Sequence, residues 1–597
     1  MKIQRQRLIF SIFFFASIII SYLIWDSINL KFKNLDIIGE YSLNNYNAAN
    51  DILRYFIFLI LPCSVFIIYK YYSQKFFFTK INSFLINNEK TPPQNNKTLL
   101  FFFLLFLILI FFEFFSINLP THKVDSYHDG QRLSSAYKFF TEGTLWSGSY
   151  ITVGIFYETL SSSIFWNLFD HVSIGLARFA DIVYIFIFKI LFIFFIFLLA
   201  EATKLEIKKK IIFFVFNSII FITLIDYDLS NVDNIGYREL PIISILISFT
   251  LLLNKTKNKI NIFFISILSP ISMFWGVDRG LVCNILILII FGYLFLSKRK
   301  NEGLLLLLLI SIFWFLSYLY LGNEFEYFLS NTFLVFKEMS YVHGLIHPKI
   351  FSDDLYSARA TKTILIILAN LIISINLLFK KKYSINFSKI IIFLSLISAG
   401  SYLYALGRSD GPHIKNSFGF PLITISLFFS YLILRKFTKK ITYNKSKIIS
   451  GLLVILFIFN IELNLKNILS YNKRLKDFIY LSDISFLSNG EKNFINFIKP
   501  KLVNHSCIQI FSNDAILNYL LRKKSCTKYY FVWSAASKSN QNQFIKELSD
   551  TDIIIEGGRK DSWDYPLKIK IHHVFKHIVK NYELIESFDN WNIFVRK

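Results

Sequence analysis

Cysteine is scarce in this chain: four in 597 residues, too few for a disulfide-built scaffold. Charge is scarce too, at 18% of residues, against about 25% in soluble globular proteins. Glycine (21) and proline (11) are together far outnumbered by phenylalanine (69). With 54% apolar residues and a mean hydropathy of +0.48, the composition argues against a soluble enzyme and excludes a disordered chain. What the chain does have is a formal net charge of +25. In a soluble protein that excess would suggest nucleic acid; in a membrane protein it reports sidedness.

Apolar runs able to cross a bilayer occupy 8–25, 52–70, 98–119, 182–200, 211–225, 241–254, 261–275, 281–296, 303–321, 363–379, 389–406, 417–434 and 447–463. The pattern predicts a polytopic α-helical membrane protein of about thirteen spans, with 211–225 and 241–254 on the short side. The first run follows Lys2, Arg5 and Arg7 and lacks a small-residue cleavage site, so it reads as an anchor. Basic clusters alternate with the spans: Lys208-Lys209-Lys210, Lys298-Arg299-Lys300, Lys380-Lys381-Lys382 and Arg435 to Lys447. An N-terminus in the cytoplasm puts all of them inside, and the outer loops come out net acidic. The basic excess is then a topology signal, and no nucleic-acid partner is expected. An odd span count puts 464–597 outside, which in a bacterial inner membrane means the periplasm.

After Leu463 the apolar runs shorten and charge rises. Strands are expected at 507–512, 528–533 and 552–556, with helices at 515–524, 539–549 and 566–582 and a hairpin turning at Asp589-Asn590. That alternation argues a C-terminal external α/β domain with a small parallel sheet. Cys507 opens the first expected strand and Cys526 precedes the second, so adjacent parallel strands would bring them within reach of a disulfide. Two unpaired thiols are the alternative. Gly557-Gly558 follows a strand, but no third glycine opens a helix, so the nucleotide fingerprint is absent.

Polar residues gather on the outer side in four places: Val124 to Arg132 (with Asp125, His128 and Asp129), Asp226-Tyr227-Asp228 through Tyr237-Arg238-Glu239, Trp275 to Gly280 (with Asp278 and Arg279), and Gly407 to Lys415 (with Arg408, Asp410 and His413). Each alone has an ordinary explanation: a polar loop, a turn-stabilising ion pair, a helix cap, an interfacial Trp. Together they set carboxylates beside Arg, Lys and His on one membrane face. That mixture suits chemistry on an anionic, lipid-linked substrate.

His128-Asp129-Gly130 through Leu133, Ala136, Thr141-Glu142-Gly143 to Tyr150 and Gly154 resembles the first outer loop of GT-C-type membrane glycosyltransferases. The resemblance continues through Tyr237-Arg238-Glu239, Trp275 to Gly280, Ala405 to Asp410 with His413, and Phe511 to Trp533, covering roughly 98–597. It implies that a first-loop acid serves as base or orients the acceptor; Asp129 matches best, with Asp125 second. His-Asp-Gly stands here where several members have Asp-Glu, which leaves the identity of the base and the need for a metal open. Arg238, Arg279, Arg408 and Lys415 become candidate cations for the donor phosphate, with His128, Asp278, Asp410 and His413 beside them. Residues 1–97 lie outside the match and read as a two-span N-terminal extension to a catalytic region at 98–463.

Nucleotide sugars are cytoplasmic, so an external site needs a donor carried across the bilayer, and a polyprenyl-phosphate sugar fits. The expected reaction is a single, inverting displacement onto a lipid, glycan or protein acceptor of the envelope. An amphipathic stretch near 153–169 (Val153, Phe156, Tyr157, Leu160, Ile164, Leu168) would floor the site at the interface; a half-buried helix or a short span is the alternative. No dense metal-ligand cluster stands out, although Asp125 and Asp129 leave a divalent cation open. Rival readings are an O-antigen polymerase or ligase, using a 322–362 loop with His343, His347 and Arg359, a lipid-linked glycan transporter, and a non-catalytic partner in an envelope assembly.

Overall fold

The computed structural model describes residues 2–32, 36–74, 76–87, 97–225, 237–254, 258–380, 383–437, 442–460, 464–558 and 566–597. Asp226-Tyr227-Asp228, Lys381 and Lys382 lie outside the described residues.

Each of the thirteen apolar runs falls on a helix. In chain order the main helices are α1 (Lys2–Ile24), α2 (Ala49–Ser73), α3 (Lys97–Ser116), α4 (His128–Glu142), α5 (Ser161–Phe169), α6 (Ile174–Ala202), α7 (Ile207–Leu224) and α8 (Leu240–Leu253). They continue with α9 (Asn258–Trp275), α10 (Val277–Leu296), α11 (Lys300–Leu321), α12 (Asn323–His343), α13 (Leu355–Leu377), α14 (Ile385–Ser401), α15 (Gly419–Phe437) and α16 (Tyr443–Asn460). In hydrocarbon every backbone group must bond within its own segment, which leaves helices as the way to run such sequences. Among the described residues, nine helices are long and apolar enough to cross a membrane by length and composition. The runs on α7, α8, α9 and α16 fall outside those nine. The 14 residues of α8 reach only about 21 Å at 1.5 Å per residue. Ile242, Ile243, Ile245 and Leu246 on α8 are all fully buried, so protein, not lipid, surrounds it.

The N-terminal pair is knitted into the bundle. Helix α1 packs on α2, and α2 on α13. Asp51 on α2 accepts from the Tyr41 hydroxyl at 2.9 Å, the Tyr46 hydroxyl and the His347 backbone N–H at 3.2 Å. His347 is buried, its Nδ1 2.8 Å from the Pro348 carbonyl and its Nε2 2.8 Å from the Tyr402 hydroxyl. Burial pushes its pKa down to about 4.

The C-terminal unit is a five-stranded sheet in the order β2-β1-β3-β5-β4. Its strands are β1 (Cys507–Phe511), β2 (Lys524–Ser525), β3 (Ile553–Gly557), β4 (Tyr582–Phe588) and β5 (Trp591–Arg596). Strand β1 runs parallel to both β2 and β3, while the β4–β5 hairpin joins β3 antiparallel. Helices Lys538–Glu547 and His572–Asn581 cover it. The strand expected at 528–533 is absent. Tyr529, Tyr530, Phe531, Val532 and Trp533 are all buried, and Val532–Ala535 forms a 3₁₀ turn. Their aromatic, β-favouring composition reflects burial on every side: they plug the seam where the sheet meets Tyr127, Tyr150 and Val335. The second strand comes earlier, at Lys524–Ser525, and Cys526 follows it. The Cys507–Cys526 disulfide is formed, with Cα atoms 5.0 Å apart.

Helix α4 lies against this unit. A Cβ on Gly130 would sit 2.3 Å from the Ile516 backbone nitrogen, so the glycine of the His-Asp-Gly step is there for close approach. Ser126 donates to Asp514 at 2.5 Å, Ser134 to the Ala515 carbonyl at 2.6 Å and Lys138 to the Thr527 carbonyl at 3.0 Å. Burial lowers the Lys138 pKa to about 8. The 322–362 stretch expected as a loop is mostly helix α12, whose apolar face packs into the same seam.

Candidate active site

The starts of α2, α8 and α10, the ends of α12 and α14, and the first turn of α4 meet at one end of the bundle around a cavity of about 510 Å³. That is an ordinary size for a small-molecule site. Its charged lining includes Arg238, Glu239, Asp278, Arg279, Arg408 and His413. Its apolar lining includes Ile52, Phe56, Val335, Phe336, Met339 and Leu406.

The charged lining is tightly braced. The Arg279 guanidinium donates to Glu239 Oε1 through Nε (3.2 Å) and Nη2 (3.1 Å), and to Asp278 Oδ2 through Nη1. It also lies 4.0 Å from the centre of the Tyr404 ring. Arg238 reaches the same Asp278 oxygen at 3.4 Å and lies over Tyr157. These pairs fix the planes of two guanidiniums whose donors are suited to phosphate oxygens.

The third arginine depends on a helix cap. Asp410 caps the short helix Gly411–Asn416, accepting from the His413 backbone N–H at 2.9 Å. The same oxygen, Oδ1, meets His413 Nδ1 at 2.6 Å, while Oδ2 meets Arg408 Nε at 2.9 Å. Burial works to raise the Asp410 pKa, but His413 and Arg408 outweigh it and hold the carboxyl below its usual range. Both oxygens are thus engaged in positioning Arg408 and His413. Lys415, on the same short helix, is exposed and does not line the cavity.

On α4 the helical repeat sorts the first-loop residues. At about 100° per residue, His128 and Gln131 share one face while Asp129 and Arg132 share another. His128 and Gln131 line the cavity. Asp129 turns toward α6, where Arg178 Nη2 lies 3.3 Å from its Oδ2, and Arg132 pairs with Asp181 on the same helix. Asp125 stands behind the histidine, its Oδ2 2.7 Å from His128 Nδ1 and its Oδ1 accepting from the Tyr127 N–H at 3.0 Å. Neither Asp125 nor Asp129 lines the cavity. Among the described residues no group of three or more His, Cys, Asp or Glu is gathered as a metal ion would require.

Behind the cavity sits Glu158, within the π-helical turn Phe156–Leu160 that opens the expected amphipathic stretch. It is buried and accepts from the Thr152 N–H (2.8 Å), the Thr152 hydroxyl (3.0 Å), the Val153 N–H and the Tyr530 hydroxyl (2.6 Å). Burial lifts its pKa above the usual carboxylate range, against the pull of those donors. Thr152, Val153 and Tyr157 line the cavity, so Glu158 braces its wall. The Val153 carbonyl accepts from the Val277 N–H at 2.7 Å, and a Cβ on Gly154 would meet Gly276 Cα at 2.5 Å. That contact brings the 153–169 stretch against the Trp275–Gly280 turn.

Of the residues singled out in the sequence, the structure therefore gathers His128, Arg238, Asp278, Arg279, Arg408 and His413 on one cavity. Asp125 and Asp410 stand one step behind, and Asp129 and Lys415 stand off it. Sequence reasoning did not single out Glu158, Tyr404 or the lining from α2 and α12, whereas Tyr157 was named in the amphipathic stretch. A lone acid in the amphipathic run was the one available sign of Glu158. His347, named in the polymerase reading, has both ring nitrogens bonded within the protein.

No protein-family model and no curated protein sequence matches the chain. Among solved structures, it aligns with ArnT from Cupriavidus metallidurans bound to undecaprenyl phosphate (9% identity, 82% of this chain and 97% of that one, TM-score 0.43). It also aligns with the apo state of the same protein (8% identity, 84% and 98%, TM-score 0.44).

Proposed function

We propose that this chain is an integral membrane glycosyltransferase. It moves a sugar from a polyprenyl-phosphate donor to a lipid, glycan or protein acceptor of the bacterial envelope, on the external face of the inner membrane. The observation that carries this reading is a cavity at the end of an apolar helix bundle that is lined by three arginines together with many apolar side chains. A lipid-linked phosphate needs both: cations for the phosphate and apolar surface for the adjoining isoprenoid. Arg238, Arg279 and Arg408 offset the charge that grows on the phosphate as the anomeric carbon–oxygen bond breaks. Asp278, Glu239 and Asp410 keep those guanidiniums in place, so little reorganisation accompanies the step. An acceptor hydroxyl attacks from the opposite side in a single inverting displacement, losing its proton to a first-loop residue. Sidedness rests on the basic clusters; among the described residues, Lys298-Arg299-Lys300 follow the far end of α10, whose start lines the cavity.

The test is a reconstitution. Purified protein in lipid nanodiscs is given labelled polyprenyl-phosphate sugars and envelope extract from cells lacking the gene. Label should pass from the donor to an extractable acceptor, with release of polyprenyl phosphate. If every donor remains intact over the panel while the protein is folded, the reading fails.

A further inference from the structure

We propose that His128, held by Asp125, is the proton acceptor of this site. The inference deepens the glycosyl-transfer reading and rests on it. Three observations carry it. His128 lines the cavity while the two first-loop carboxylates do not. Asp129, the acid favoured by sequence, is turned through the helical repeat onto Arg178, itself anchored to the Pro120 and His122 carbonyls at 3.0 and 2.7 Å. The Asp125 carboxylate meets His128 Nδ1 at 2.7 Å and is itself steadied by the Tyr127 N–H.

A carboxylate on Nδ1 fixes the ring and its tautomer: Nδ1 carries the hydrogen, and Nε2 has the lone pair. The acceptor hydroxyl gives its proton to Nε2 as its oxygen bonds to the anomeric carbon. The carbon–oxygen bond to the phosphate breaks, and the electron pair leaves on the polyprenyl phosphate, facing the arginines. Asp125 then faces an imidazolium and offsets its charge, a positioning role that needs no proton transfer to the carboxylate. Gln131, one turn along the same face, is tied to the Thr152 hydroxyl at 2.7 Å, which fixes the register of α4 against the cavity wall. The other charged groups facing this space are Arg238, Glu239, Asp278, Arg279, Arg408 and His413, and Asp514 lies behind Ser126.

The experiment compares wild type, His128→Gln, Asp125→Asn and Asp129→Asn in the reconstituted transfer assay. It follows kcat and kcat/KM across pH and the binding of polyprenyl phosphate. His128→Gln should lower kcat at least about 100-fold, the ordinary worth of a general base, while still binding polyprenyl phosphate. An acid limb of wild-type kcat/KM should vanish in His128→Gln and persist in Asp129→Asn. Asp125→Asn should lower kcat less than His128→Gln and leave KM for the donor nearly unchanged. Retained lipid binding shows that a slow variant is folded. Near-wild-type kcat in His128→Gln, or an acid limb that survives there and disappears in Asp129→Asn, overturns the assignment. Inactive wild type would instead sink the glycosyl-transfer reading, so the two failures are distinct.

Discussion

At the scale of single residues, the account turns on which charged side chains hold one another and which are left for substrate. Arg279 is flanked by Glu239 and Asp278. Removing it leaves two carboxylates facing each other near a low-dielectric wall. Arg279→Ala should cost about 3 kcal/mol or more of stability and abolish transfer. Arg279→Lys should retain more of the fold than of the activity, because a point charge cannot replace the fork. Thermal unfolding and turnover, measured together, check both. His347 offers a pH test. Its folded pKa, near 4, lies below the ordinary 6.5, so the unfolded chain binds a proton that the folded one does not. Its contribution is full above about pH 6.5 and is lost as pH falls toward 4, amounting to about 3 kcal/mol. Tm should drop across that window in wild type and drop less in His347→Gln. Equal slopes would contradict the account.

At the scale of elements, the cavity is built by helix ends and by the turn that Glu158 gathers. Glu158→Gln puts an amide nitrogen among donors and should slacken the Thr152–Val153 turn. Activity should fall at least about tenfold, with the larger effect on kcat, because the wall is braced from behind; kinetics on the folded variant check this. The Cys507–Cys526 bridge ties β1 to β2. Cys526→Ser, with its partner reduced, should cost about 2–4 kcal/mol, read as a lowered unfolding midpoint of the C-terminal unit. Much of this level was legible in the sequence. Apolar runs gave the helices because lipid permits little else, and the β4–β5 hairpin was marked by Asp589-Asn590. The aromatic run Tyr529–Trp533 misled because propensity cannot tell a strand from a plug buried on all sides. The assignment of roles to His128 and Asp129 needed their helical phase, which shows only once α4 is known to start at His128.

At the scale of the whole molecule, the proposed sidedness is argued from charge, and span length says nothing of it. Four of the thirteen runs sit on helices outside the nine that length and composition alone mark as spans. The part of residues 1–97 in the site was also hidden: Ala48, Ile52 and Phe56 belong to the cavity wall, and no local motif announces a surface that tertiary packing creates. The proposed topology predicts that a periplasm-active reporter fused after Lys597 is active and one inserted after Lys204, between α6 and α7, is silent. Activity at both places, or the reverse pattern, would contradict it.

The central claim is that the arginine lining takes the phosphate of a polyprenyl lipid. Its most direct measurement is equilibrium binding of polyprenyl phosphate, and of the uncharged polyprenol, to purified wild type and to Arg238→Ala/Arg408→Ala in nanodiscs. The account predicts saturable binding of the phosphate, much weaker binding of the alcohol, and a loss of at least about tenfold in the double variant. Equal affinity for phosphate and alcohol, or unchanged phosphate binding in a folded double variant, would contradict it.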